Sequence, residues 1–443
     1  LHQETIQNIP SAERINGKTN IFDVLNRLIP VLIGIFVLFN SFPHTTAIKE
    51  IALYLALLFV IVLVVAKKTE FTLKTPLTIP FLLFLAWSVV GIFFTSNRAN
   101  TIHDIYAHYI KYLVVFFILV NFFCAGQRCR KLIWILALSA ALFSIGGTIF
   151  FYGMEGHPFS DRVGFKEMSS NYLGFVTIPG LILMLGLIIS GQGWPERILL
   201  LLSFSWTFLS TLLTQTRGAM IALVASVMIA AWGRWKVFLL AGFFLLGFLI
   251  FFPGRVQHNI FAPTELLADH RVSINRLSLE IIRDYPITGF GFGMQIYNNR
   301  EMLLKYNERV PEKYRQTPER LSETPHNTYL DLAMRVGWVG FGLFLYIIAV
   351  FCKMAWQTAV RGKTEFTRKW GLLITACAVS YLIQAFFADA TFGPQAIMFY
   401  VILALMTIVW RLNEEGSGHC VLPATGQGRD SRESDLPNPD GRR

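Results

Sequence analysis

The feature that most restricts this chain is the length of its apolar runs. Residues 51–66, for example, read IALYLALLFVIVLVVA without a single charge. A helix needs about 20 such residues to cross the hydrocarbon core of a bilayer. The pattern recurs along most of the 443 residues, 54% of which are hydrophobic and only 15% charged. A soluble domain carries roughly 25% charged residues. The expected fold is therefore an all-α polytopic membrane protein with about twelve transmembrane helices. They are expected near residues 23–42, 47–66, 78–94, 109–125, 131–152, 170–190, 197–214, 218–232, 236–252, 327–352, 369–388 and 392–411.

Short-loop charge sets the expected orientation. Loops after even-numbered spans carry Lys67, Lys68 and Lys74, then Arg128, Arg130 and Lys131, then Arg197, Arg234 and Lys236, and finally Lys353, Arg361, Lys363, Arg368 and Lys369. The opposite loops hold only Lys49, Arg98, Arg162, Lys166 and Arg217. The positive-inside rule then places both termini in the cytoplasm. The net charge of +11 is largely this basic rim meeting anionic membrane lipids, and it calls for no nucleic acid. The first 22 residues are polar, and no cleavable secretory signal is expected. The chain divides into a cytoplasmic segment 1–22, spans one to nine over 23–252, an outer loop 253–325, spans ten to twelve over 326–411, and a polar tail 412–443 expected to be disordered.

Loops as long as 253–325 are uncommon and usually functional or disordered. "HRVSINRLSLEIIRDYP" spaces Ile274, Leu277, Ile281 and Ile282 as a helix that Pro286 stops, with Asp269 as its expected cap. "GFGFGM" reads as a turn resting on the membrane surface, and a second polar helix is expected around 301–309. The loop is thus expected to form a small helical cap.

Few residues carry chemistry. In "TPHNTYLDLAMRVGWVG", residues 324–340, Thr324 reads as a helix N-cap and Pro325 as the first helical position. That puts His326 in the first turn of the tenth span. There the helix dipole favours anions and a neutral imidazole able to accept a hydroxyl proton. The competing reading is an interfacial histidine at a span entry. Asp331 and Arg335 are spaced to pair within the helix, and Gly337 and Gly340 would admit a neighbouring helix. In "TQTRGAM", Arg217 stands on the side poor in cations, and Gly218 would let the backbone approach a ligand. A guanidinium presents two donors to a phosphate; the alternative is an arginine reaching lipid headgroups. Arg271 has no acid at helical spacing, whereas Arg276 and Arg283 flank Glu280 and are both spaced to pair with it.

The absences narrow the classes. There is no D-x-D, no metal-spaced cluster of histidines, cysteines or carboxylates, and no nucleotide-binding glycine loop. Acidic residues at mid-span, which proton-coupled carriers use, are almost missing.

His326-Asn327, then nine residues, then Gly337-Trp338-Val339-Gly340 resembles the signature of bacterial O-antigen ligases, in the superfamily that includes O-antigen polymerases. Arg217-Gly218 before the eighth span, the loop between spans nine and ten, and Arg271 followed by Pro286-Ile287-Thr288-Gly289-Phe290-Gly291 are similar to that family as well. The resemblance implies a GT-C-like glycosyltransferase of the bacterial inner membrane with its active site facing the periplasm. It would transfer O-antigen from undecaprenyl diphosphate to a sugar hydroxyl of lipid A–core, with inversion and with no metal or other cofactor. It also implies His326 as base or activator, Arg217 and Arg271 as diphosphate ligands with Arg276 a weaker one, and Asn327, Gly218, Gly337 and Gly340 in support. The rival readings are a polymerase, a protein O-oligosaccharyltransferase of the same superfamily, and a transporter.

Overall fold

The computed structural model describes residues 20–159, 161–164, 170–232, 242 and 270–414. Among them the regular structure is entirely helical. Among the described residues eight helices are long and apolar enough to cross a membrane, and two apolar helices are shorter. The protein is a polytopic all-α membrane protein. The α-helices among the described residues are α1 (Ile21–Phe39), α2 (Thr46–Val65), α3 (Thr78–Gly91), α4 (Arg98–Asp104), α5 (Lys111–Phe122), α6 (Gly126–Thr148), α7 (Ser170–Ile189), α8 (Trp194–Leu213), α9 (Arg217–Ala230), α10 (His270–Asp284), α11 (Arg300–Arg309), α12 (Thr328–Ala359), α13 (Glu365–Gln384) and α14 (Gly393–Glu414). Eleven of the twelve expected spans coincide with helices. The ninth, 236–252, lies outside the described residues apart from Gly242, as do the Asp269 cap and the tail beyond Glu414; residues 412–414, expected in the disordered tail, instead end α14.

The apolar surfaces sort the helices. Leu58 on α2, Ile79 on α3 and Leu199 and Leu202 on α8 are exposed, which in a membrane protein is the lipid-facing side. The centre is held by α7 and α14, buried along most of their lengths. Close approach there depends on small residues: a Cβ at Gly180 of α7 would lie 2.2 Å from the Ala140 Cβ of α6. Span four begins earlier than the sequence suggested. Asn97 caps α4 by accepting from the Asn100 amide, and a π-helical turn, Ile105–Ile110, carries α4 into α5. Apolar periodicity alone did not reveal that polar first turn.

The cap has its own small core. Ile274, Leu277, Ile281 and Ile282 of α10 are all buried, as their spacing implied. Leu277, Ile281 and Ile282 pack with Leu303 and Tyr306 of α11 and with Ala333 and Met334 of α12. α10 ends at Asp284, just before Pro286. Tyr306 and Arg309 both donate to the Asp284 carboxylate, at 2.8 and 2.7 Å, and hold that carboxyl below its usual range. Both helices therefore stand where the sequence put them.

Two expectations fail at the join between cap and bundle. The "GFGFGM" turn does not rest on a membrane surface. It is packed against a break in α12, where Gly337 has φ 68° and ψ −179°. That break releases backbone groups that a continuous helix would use. The Phe290 and Gly291 amides donate to the Met334 and Arg335 carbonyls at 3.0 and 2.9 Å, and the Trp338 amide donates to the Pro286 carbonyl at 2.8 Å. Gly337 consequently admits the cap loop and not a neighbouring helix: a Cβ there would lie 2.0 Å from the Ile287 carbonyl oxygen. Gly340 does face a helix, since a Cβ there would meet Trp87 of α3 at 2.9 Å.

Asp331 and Arg335 pair as their spacing indicated, but in a wholly buried setting. The guanidinium donates to both Asp331 carboxylate oxygens and, at 2.6 Å, to the Phe292 carbonyl. The Tyr297 and Thr391 hydroxyls donate to the same carboxylate. Cap, α12 and the α13–α14 connection thus converge on one buried ion pair.

Candidate active site

A cavity of about 790 Å³ opens between the cap and the bundle. It is lined by His326, Arg217 and Arg271, three residues that are far apart in sequence. Each is placed by a local device.

The start of α12 differs from the expected one. Asn327 is the N-cap, its side-chain oxygen accepting from the Tyr329 and Leu330 amides. His326 therefore precedes the helix instead of occupying its first turn, and its backbone is left-handed, with φ 47°. Asn caps well because its side chain mimics a backbone acceptor, so it displaced the Thr324 alternative. The left-handed conformation costs a non-glycine residue on the order of 1 kcal/mol, and it directs the chain so that His326 lines the cavity. Thr328 secures this entry. Its amide donates to the Ala385 carbonyl at 2.8 Å, and its hydroxyl donates to Ala388 and accepts from the Ala390 amide.

Arg217 is the first residue of α9. Gln215, also left-handed at φ 47°, and the extended Thr216 turn the chain sharply out of α8. Residues 215–218 all line the cavity, so the N-terminus of α9 opens onto it. Gly218 lines it too, yet its close neighbour is a side chain: a Cβ there would lie 2.8 Å from Phe387. Its smallness serves the packing of the α13–α14 connection, not the backbone approach to a ligand suggested by sequence.

Arg271 comes from the first turn of α10. Arg276 does not join it. Its guanidinium lies 3.9 Å from the centre of the Tyr314 ring and does not line the cavity. Glu280, expected to compete for Arg276, is paired with Arg283. Five residues separate Arg271 and Arg276, about 500° of helical rotation at 3.6 residues per turn, so the two point to different sides.

Sequence reasoning passed over three further arginines in the lining: Arg162, Arg315 and Arg320. Arg162 is positioned by the end of α8, its Nε donating to the Thr214 carbonyl at 3.2 Å while the Val163 amide donates to Leu213. The crowded wall and then the charges of Arg271 and Arg217 push its pKa below the usual arginine value. Arg315 is braced by the Val310 and Glu308 carbonyls at 3.0 and 2.9 Å, and Arg320 stands 3.9 Å from Glu323. Arg162 did carry a readable signal, the same position on the cation-poor side that marked Arg217. Arg315 follows one short 3-10 turn and Arg320 ends another, with no periodic pattern to mark either.

Among the described residues lining the cavity, five are arginines and none is an acid. Such a surface suits an anion with several oxygens. A ring nitrogen in the same cavity adds a proton acceptor for a hydroxyl, and Phe386 and Phe387 supply an apolar edge.

No curated protein matches the chain. A family model described as O-antigen ligase matches residues 199–345, from α8 into the second half of α12, a stretch that includes Arg217, Arg271 and His326. Such proteins are glycosyl-transferring enzymes that use, in general, a lipid-linked sugar donor and a lipid acceptor. Over residues 199–345, about a third of its length, the chain is similar to the O-antigen ligase family.

Proposed function

We propose that the protein transfers O-antigen from undecaprenyl diphosphate to a sugar hydroxyl of lipid A–core, at the periplasmic face of a bacterial inner membrane. The observation that carries this reading is the meeting of His326, Arg217 and Arg271 in one cavity. The acceptor oxygen attacks the anomeric carbon in line, the bond from that carbon to the phosphate oxygen breaks with inversion, and undecaprenyl diphosphate departs with the electron pair. His326 takes the hydroxyl proton on a ring nitrogen. Arg217 and Arg271, with Arg162 beside them and the α9 N-terminus, receive the charge developing on the leaving diphosphate. Preorganised guanidinium groups thereby supply the neutralisation that a divalent metal provides elsewhere. The orientation, with both termini cytoplasmic, follows the distribution of Lys and Arg in the short loops.

The test uses purified protein in nanodiscs with lipid-linked O-antigen and O-antigen-free lipopolysaccharide, with and without EDTA. The expected product is O-antigen on core at undiminished rate in EDTA. A strict requirement for added Mg²⁺ or Mn²⁺ would overturn the arginine mechanism. Growth of the lipid-linked glycan with nothing attached to core would assign polymerisation instead.

A further inference from the structure

A second cavity, of about 280 Å³, lies where the cap meets the connection between α3 and α4. Its chemistry is unlike that of the first. Eight of its eleven lining residues carry an amide or hydroxyl side chain and none is charged. An anionic headgroup would find no counter-charge there, whereas a sugar, whose hydroxyls both donate and accept, would find matching groups.

Part of this polar surface joins the cap to the bundle. The Asn97 amide donates to Gln295 Oε1, the Gln295 backbone amide donates to Asn100 Oδ1 at 3.1 Å, and Asn299 Oδ1 caps α11. Each of these bonds engages only part of the side chain. Among the described residues, the Nδ2 groups of Asn100 and Asn299, Gln295 Nε2, the Ser96 hydroxyl and both ends of the Asn298 amide have no protein partner. The lining is thus held in shape by half of its polar groups and presents the other half outward, with Phe290 as an apolar face beneath.

The position adds to this. The 290–292 segment beside the cavity is bonded to Met334 and Arg335 of α12, while Asn327, at the start of the same helix, lines the arginine cavity. Eight residues of helix separate Asn327 from Arg335, about 12 Å at 1.5 Å per residue. A glycan whose first sugar reacts at His326 must run past the cap, and this separation is a few sugar units and not one.

We propose that the second cavity is a subsite for neutral sugar units of the glycan, distal to the reacting sugar. This rests on the glycosyl-transfer reading above. Sugars of that kind occur both in the donor polysaccharide and in the core oligosaccharide of the acceptor, and the test separates them.

Nanodisc-embedded protein is compared with Asn298→Leu and with Ser96→Val, two side chains that brace no other group. Transfer is measured with long and single-repeat lipid-linked donors, and with full-length and truncated core acceptors. In parallel, saturation-transfer NMR reports contact with free polysaccharide and free core oligosaccharide. The expected result is that the preference in kcat/KM for long over single-repeat donor falls about three- to tenfold in each variant, the scale of one or two hydrogen bonds. A fall in the preference for full-length core instead assigns the subsite to the acceptor. Preferences unchanged in both pairs, with NMR contacts equal to wild type, overturn the proposal. Wild type that binds free glycan at Asn298 yet forms no product overturns the glycosyl-transfer reading and leaves the sugar site standing.

Discussion

Two arginine environments under the same cap show what a buried or half-buried guanidinium can be for. Arg335 is wholly buried, and its charge is answered within the protein by Asp331, with Tyr297 and Thr391 completing the carboxylate's bonds. Arg217 lies at a helix N-terminus in a cavity whose described lining holds four more arginines and no acid. The first arrangement is closed, with donors and acceptors matched by neighbouring chain. The second keeps like charges together, and burial and Arg271 and Arg217 depress the pKa of Arg162 as a result. An arginine whose partner is protein holds a join together. Arginines gathered around a cavity whose described lining holds no acid suit an anionic ligand, the role proposed above.

Breaking the closed pair should have the largest effect. Arg335→Ala strands the Asp331 carboxylate in a buried site, at a cost of about 3–5 kcal/mol. The variant should accumulate poorly in membranes and lose the protease resistance of its cap. Replacing both partners by apolar residues, Asp331→Leu with Arg335→Met, should restore much of the accumulation seen on immunoblots, since no unpaired charge remains. Failure of that rescue would give the pair a role beyond structure.

In the open cluster the effect should fall on rate. Arg217→Ala and His326→Ala should each lower glycan transfer about 10²–10³-fold, the usual cost of losing one preorganised group, with membrane levels near wild type. Arg217→Lys should also be poor, because an ammonium cannot reproduce the two-donor fork. Near wild-type lipopolysaccharide ladders from either Arg217 variant would dissolve the contrast between the two regions.

A smaller effect is expected at the entry to α12. Asn327→Ala removes a cap worth about 1 kcal/mol and loosens the backbone carrying His326, so thermal stability should fall a few degrees and transfer more modestly than in His326→Ala. Least affected should be Arg276→Gln, since Arg276 stacks on Tyr314 outside the cavity. A large loss of transfer there would return Arg276 to the anion site.

Much of this was legible in the chain itself. Apolar run length fixes bilayer-crossing helices without reference to neighbours, because in lipid the backbone must satisfy its own hydrogen bonds. The cap helices could be read from Ile274, Leu277, Ile281, Pro286 and the polar run at 301–309. His326 stood out by its place at the entry to a span, Arg217 by its place on the cation-poor side, and Arg271 by having no acid at helical spacing. The pairing of Asp331 with Arg335 followed from helical spacing.

What lay beyond the sequence is every relation set by contact between distant segments. That Asn327 and not Thr324 caps α12 depended on how the α13–α14 connection holds Thr328. Gly337 reads in sequence as a helix-packing residue, and only the docked 286–291 loop turns it into a break. Spacing set Arg276 apart from Arg271 through Glu280, but Glu280 pairs with Arg283, and a rotation about α10 divides stacking from cavity. Arg315 and Arg320 acquire meaning only because the cap folds them over α9. The sequence by itself marks the segments apolar enough to enter a membrane, since that depends on each segment's own transfer from water. Tertiary structure decided which charges share a cavity, since electrostatic proximity depends on distance in space and not on separation along the chain.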